Sequence, residues 1–297
     1  MILLLIVLLG FVLRVISLDQ SLWLDEATSV LVARDFSFSE ILTKFSPGDF
    51  HPPFYYLLLK TWISFFGSSE IAVRIMSIFF GVATIWVVYK IAQKLLTKNC
   101  SLIVALFLAT APLHVYYSQE TRAYVMETLL GAVVAYCVLL IFQSSKPKAL
   151  HYAGLVGSSA ALLYTDYLPI FLLVSLFAFL NFYKRNFFIY HLFWLAGTTL
   201  LFIPWVPTLL SQFQSGILVK QNAPIWWTAL GRTNLKELML IPVKFMIGRI
   251  SFYNKFVYGL FVLFSSLPFI ASFFRSVSQF RNIKFLWFWF VFPLIFT

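Results

Sequence analysis

Eight apolar runs of near-bilayer length constrain this chain more than any other feature: Met1–Leu18, Ile71–Tyr89, Cys100–Tyr116, Ala123–Phe142, Leu150–Tyr164, Tyr167–Tyr183, Phe187–Thr208 and Phe256–Phe274. A helix rises about 1.5 Å per residue, so about 20 apolar residues cross the hydrocarbon core of a membrane. A single soluble core has no room for eight such segments. Composition agrees, with 61% of the 297 residues apolar and only 11% charged, against roughly 25% charged in a soluble domain. The chain reads as an all-α polytopic membrane protein. A ninth run, Phe285–Thr297, holds 13 residues and is short for a span. About nine spans are therefore expected, in a single membrane domain 1–297 that reads as a C-terminally truncated fragment. Met1–Leu18 lacks a basic leader and a small-residue exit, so it reads as a retained first span.

The formal net charge of +11 does not point to nucleic acid, because no basic stripe exists. The charges lie between the apolar runs, where they set topology. The stretch His51–Gly67 is apolar but opens with Pro52-Pro53 and holds Lys60. If it does not span, Lys90, Lys94, Lys98, Lys146, Lys148, Lys184, Arg185, Arg275, Arg281 and Lys284 all fall on one inner face, and every acidic residue but Glu127 falls outside or at the outer edge. If it spans, those cations move outside, against the positive-inside bias. It therefore reads as a helix at the outer interface or re-entering, with Lys60 snorkelling. Two long outer segments result: 19–70, with the interfacial helix 51–67, and 209–255, with Trp226-Trp227 and the basic apolar stretch Leu235–Ile250. Cys100 and Cys137 have neither metal-ligand spacing nor a disulfide framework and read as packing residues.

The ionisable residues that could carry chemistry gather on the outer side. Asp25-Glu26 follows the first span, where a half-desolvated carboxylate can act as a general base on a hydroxyl. An equally simple reading makes the pair a solvated cap for a helix Ala27–Ala33. Asp49 and His51 precede the interfacial helix, and capping accounts for Asp49. Glu120, Arg122 and Tyr124 occupy the short turn between the third and fourth spans, and Arg74 opens the second; an arginine at this depth can grip a lipid phosphate bidentately. Glu127 lies inside the fourth span, where a carboxylate usually faces the bundle interior or a cavity. Asp166 reads as a turn residue.

Taken in order, Asp25-Glu26, His-Pro-Pro-Phe-Tyr-Tyr-Leu-Leu-Leu from His51, Phe-Gly with Ala-x-Arg-Ile-x-Ser around Arg74, and Ser-Gln-Glu-x-Arg-x-Tyr from Ser118 resemble GT-C superfamily membrane glycosyltransferases. The pattern is most similar to the protein O-mannosyltransferase, aminoarabinose transferase and RgtA-like group, and it covers about Leu18–Tyr124. The resemblance implies a GT-C-like helical bundle with a long first outer loop. It also implies inverting transfer of a sugar from a polyprenyl-phosphate-linked donor to a protein, lipid or glycan acceptor at the outer or lumenal face. The first-loop acid, Asp25 with Glu26 beside it, is the implied catalytic base. Arg122, Tyr124 and Arg74, with Glu120 in the same turn, would lie near the donor phosphate, and Asp49 and His51 would line the sugar or acceptor side. Lys220, Lys236, Lys244 or Arg249 could add a second phosphate contact, though interfacial anchoring explains them equally well. The family does not uniformly require a metal. No essential cofactor is expected, and a divalent cation near Asp25 or Asp49 stays open. The implied partners are the lipid-linked donor, the acceptor and membrane lipids, with no nucleic acid. The implied location is an integral multi-pass protein of the plasma membrane with its site outside. A transporter or flippase for lipid-linked sugars is the competing reading; it would place ionisable groups near the midplane, where only Glu127 qualifies, and often shows repeats.

Overall fold

In a computed structural model of the chain, the described residues are 1–222, 243–245, 247–248, 253–278 and 284–293. Every regular element among them is helical. In chain order these are α1 (Ile2–Val15), α2 (Leu24–Asp35), α3 (Phe38–Glu40), a π-helical turn Ile41–Phe45, α4 (Phe54–Phe66), α5 (Glu70–Leu95), α6 (Lys98–Thr110), α7 (Pro112–Ser118), α8 (Tyr124–Gln143), α9 (Ala149–Leu163), α10 (Ile170–Tyr183), α11 (Phe188–Phe202), α12 (Val206–Asn222) and α13 (Lys255–Ser278). Local chemistry sets several of these boundaries. The Ser69 hydroxyl accepts from Ala72 N at 3.3 Å to open α5. Thr97 does the same for Cys100 N at 3.4 Å in α6. Gly67, at φ 79°, ends α4 in a conformation that suits glycine.

Among the described residues, three helical stretches are long and apolar enough to cross a membrane: Glu70–Leu95, Tyr124–Gln143 and Arg185–Val219. The pair α6 and α7, bent by 57°, makes a fourth if counted as one broken span, while α1, α9 and α10 are shorter apolar helices. The chain is thus an all-helical integral membrane protein. The run that the sequence ends at Thr208 continues as helix to Asn222, so the second long segment opens as α12 rather than as loop. Leu209, Leu210, Phe213, Ile217 and Leu218 keep helical spacing there, which explains the continuation. Of Leu235–Ile250 only 243–245 and 247–248 are described. Trp226-Trp227, Lys236, Arg249 and the Lys220 side chain lie outside the described residues.

Helix α5 packs on α1, α6 and α8, α8 packs on α9, and α9 on α11. One apolar core fills the space between α8, α9 and α10, reaching Phe285 and Phe288. A second, built from Val30, Ile41, Tyr55, Tyr56, Leu59, Val73, Met76 and Met126, seats α2 and α4 on α5 and α8. Residues 19–70 are therefore folded onto the bundle. Lys60 does not simply snorkel: its Nζ donates to Ala33 O at 3.3 Å at the end of α2, and lies 5.6 Å over the Phe38 ring.

The break between α6 and α7 has a sequence cause. Pro112 has no N–H, so the carbonyl of Leu108 loses its helical partner. Arg14 of α1 fills the gap, with Nη1 donating to Ala109 O at 2.9 Å and Nη2 to Leu108 O at 3.4 Å. The same guanidinium reaches Gly10 O at 2.7 Å, Ser118 Oγ at 3.1 Å and His114 Nδ1 at 2.6 Å. Because arginine only donates, Nδ1 of His114 accepts here.

Candidate functional site

Glu26 and Arg74 form the rigid centre of the outer residues. Glu26 sits in the first turn of α2 and is 1% exposed. Its carboxylate takes Arg74 Nε at 3.0 Å and Arg74 Nη2 at 2.7 Å, Trp23 N at 3.2 Å and Thr121 N at 2.8 Å. Arg74 then donates to the carbonyls of Leu18 at 2.8 Å, Gln20 at 2.5 Å and Ser21 at 3.3 Å. An arginine has five N–H donors, and all five are engaged. The pair ties the exit from α1, the start of α2, α5 and the 118–123 turn into one knot. Neither of its members has a group left over for a substrate, in contrast to the sequence expectation of a base at Glu26 and a phosphate contact at Arg74. Glu26 is not a solvated cap either: it is buried against Arg74, and the helix begins at Leu24 rather than Ala27.

Asp25 is placed differently. It is half-buried, its backbone carbonyl takes Ser29 Oγ at 2.8 Å, and its carboxylate has no ion pair among the described residues. Arg122 lies within electrostatic reach. The Arg122 Nη1 donates to Ser29 Oγ at 3.3 Å, its guanidinium lies 5.6 Å over the Tyr124 ring, and its buried Nε has no partner among the described residues. Burial works against the charge on Arg122, yet its proton affinity is held above the usual guanidinium value by polar neighbours, the Tyr124 hydroxyl and the Asp25 carboxylate among them.

Asp49 and His51 form a second group. The Asp49 carboxylate accepts from Tyr56 Oη at 2.8 Å, and His51 Nδ1 lies 3.5 Å from it. Burial raises the proton affinity of Asp49, yet the His51 and Tyr56 contacts outweigh this and hold it below the usual carboxylate range. Burial and the facing Asp49 push the Tyr56 hydroxyl well above its usual range, so it stays a donor. His51, Pro52, Tyr55, Tyr56, Arg122, Ala123 and Thr165 enclose a cleft of about 10 Å³, room for one water molecule. From behind, Gln212 of α12 donates to Ser46 O at 2.6 Å and His51 O at 3.3 Å, and Phe54 N donates to Tyr164 O at 3.0 Å.

Glu120 is 6% exposed. Gln119 Nε2 donates to Arg14 O at 3.3 Å and Ile16 O at 2.7 Å. The turn that carries Arg122 is therefore held from both sides, by Arg14 with Gln119 and by Glu26 with Arg74. Asp166 Oδ1 accepts from Leu168 N at 2.8 Å, as a turn residue does. Sequence reasoning missed Arg14, Ser29, Tyr56 and Gln212. Only Tyr56 carried a signal, two aromatic hydroxyls directly after Pro-Pro. Among the described residues, no three His, Cys, Asp or Glu side chains converge on a metal position.

Residues 50–210, more than half of the chain and including His51, Arg74, Arg122 and Tyr124, match the profile of a family described as dolichyl-phosphate-mannose-protein mannosyltransferase. Neither a curated protein nor a solved structure matches the chain significantly. The chain belongs to the dolichyl-phosphate-mannose-protein mannosyltransferase family and is a membrane glycosyltransferase of the GT-C type.

Proposed function

We propose that this glycosyltransferase takes its sugar from a polyprenyl-phosphate-linked donor and transfers it with inversion, Asp25 acting as general base. One observation carries the assignment. Of the arginines Arg14, Arg74 and Arg122, the first two commit every donor to the protein, whereas Arg122 keeps donors unused beside an unpaired Asp25 carboxylate.

In the proposed reaction the acceptor hydroxyl gives its proton to Asp25 as its oxygen attacks the anomeric carbon. The bond from that carbon to the phosphate oxygen breaks with its electron pair, releasing polyprenyl phosphate. Arg122 offsets the charge that grows on the leaving phosphate, which a preorganised cation does well in a partly desolvated site. Tyr124 holds the guanidinium from one face. Asp49, His51 and Tyr56 form the polar wall on the acceptor side. Glu26 and Arg74 set the distance between base and cation without touching substrate. No step is routed through a metal. The positive-inside distribution of Lys and Arg supports a site on the outer, periplasmic or lumenal side, with protein, lipid and glycan all open as acceptor classes.

The test is donor cleavage by nanodisc-embedded protein over a panel of polyprenyl-phosphate sugars. Asp25→Asn and Arg122→Ala are each expected to lose about a hundredfold or more in kcat while retaining the wild-type melting temperature, as removal of a base or charge stabiliser typically does. Full activity in Asp25→Asn would move the base elsewhere. Uptake of a lipid-linked sugar without cleavage by any form would favour a transporter.

A further inference from the structure

Between α5, α7, α8, α9 and α10 lies a cavity of about 630 Å³, well within the size range of small-molecule sites. Its wall includes Tyr117, Tyr124, Glu127, Phe171, Leu172 and Trp289. Tyr124, which stacks on Arg122, stands at its upper edge. From there it follows α8 to Ala132, about 12 Å at 1.5 Å per residue. The cleft at His51 and Arg122 has room for one water only, whereas this cavity is large enough for a sugar.

We infer that the cavity receives the sugar of the lipid-linked donor, and that Glu127 recognises its hydroxyls. The inference rests on the donor class proposed above. Glu127 projects from the first turn of α8, lines the cavity and is half-buried. Its carboxylate has no hydrogen bond or ion pair among the described residues, while its backbone N–H donates to Ala123 O at 2.9 Å at the start of the helix. A carboxylate at membrane depth is costly unless something satisfies it. Asp166, of the same sign, and His51 lie within electrostatic reach of it. It therefore needs a group rich in hydrogen-bond donors.

The two other parts of the donor lipid do not meet that need. A polyprenyl tail brings no donor, and a phosphate brings charge of the same sign as Glu127. Sugar hydroxyls bring several donors and no charge. The aromatic faces of Tyr117, Tyr124 and Trp289 give the apolar side of a sugar ring something to lie on. Arg122 at the upper edge is placed for the phosphate.

The experiment measures equilibrium binding of polyprenyl-phosphate mannose, polyprenyl-phosphate glucose and sugar-free polyprenyl phosphate to wild type, Glu127→Gln and Glu127→Ala in nanodiscs. Glu127→Ala is expected to weaken the better-bound sugar lipid about tenfold or more, the loss of a hydrogen bond to a charged group. Sugar-free polyprenyl phosphate should bind all three forms within about twofold, since it makes no such bond. Glu127→Gln, close in shape and able to keep one acceptor, should fall between and controls for folding. For that sugar, a donor analogue lacking the hydroxyl that Glu127 holds should bind wild type and Glu127→Ala alike, because the pair's coupling is then gone. Unchanged sugar-lipid affinity in Glu127→Ala, or an equal loss for the sugar-free lipid, overturns the inference while leaving the transferase reading intact. Wild type that binds no sugar lipid better than polyprenyl phosphate overturns both.

Discussion

Asp25 and Glu26 are neighbours in sequence with opposite fates, and their substitution should separate them. Glu26→Gln leaves Arg74 buried without its counter-charge, a change that costs about 3–5 kcal/mol in buried pairs. It should lower the melting temperature and the yield of folded protein together. Asp25→Asn breaks no ion pair and should melt with wild type. A Glu26→Gln protein as stable as wild type would refute the structural assignment. Asp49 supplies a pH test. Its folded-state proton affinity is depressed by His51 and Tyr56. The stability it adds is then fully present above the unfolded value of about 3.9 and is lost as pH falls through the lower folded value. Asp49→Asn should cost stability at neutral pH, and the gap to wild type should close only in strong acid. A chemical-denaturation series from pH 7 down to about pH 1 measures it.

At the scale of elements, α5 and α7 pack closely at Gly81. A Cβ at Gly81 would collide with Ser118 Oγ and stand 2.9 Å from Ser118 Cβ and 3.1 Å from Arg14 Nε. Gly81→Ala should therefore push the helices apart at a cost of about 1–3 kcal/mol, as overpacked sites do. Because Ser118 begins the turn that carries Arg122, the same variant should raise donor KM more than a core variant of similar melting temperature, such as Leu176→Ala, does. Thermal melts and donor kinetics on both variants check this. The sequence located these elements well where one signal dominated. Ile71–Tyr89 and Ala123–Phe142 became α5 and α8 with edges moved by six residues or fewer, because apolar length overrides everything else in lipid. It did not show that α6 and α7 break, although Pro112 stands in plain view, since a proline in a membrane run either kinks or is tolerated depending on what satisfies the freed carbonyls. Here the answer is Arg14, more than ninety residues away.

For the whole molecule, the outer residues converge because segments distant in sequence brace one another. Gln212 of α12 holds Ser46 and His51 from behind, and the Tyr167 hydroxyl bonds both Gln212 and Trp205. Gln212→Ala should loosen residues 46–51, and the exposed Lys44 just before them should become a faster site of tryptic cleavage, by about the several-fold that a loss of 1 kcal/mol implies when local opening limits proteolysis. Timed digestion of both forms reads this directly. Which outer residues matter was only half legible for the same reason. Motif order brought Asp25, His51 and Arg122 to attention. It could not tell a committed arginine from an available one, because Arg74 and Arg122 look alike until their acceptors are placed.

The broken helix also bears on the order in which the membrane bundle can be built. Pro112 takes the helical donor from the carbonyl of Leu108, which keeps only a long 3.4 Å bond from Ala111 N, and a side chain of α1 bonds both it and the carbonyl of Ala109 beside the break. Lipid offers no substitute partner. The α6–α7 segment therefore cannot settle in the bilayer as an independent unit. It has to meet α1 already in place, so the first helix acts as an assembly template for the third hydrophobic run. A chain with Arg14 replaced by methionine should insert its early helices normally and stall where α6 seeks its partner, trapped with polar backbone facing hydrocarbon.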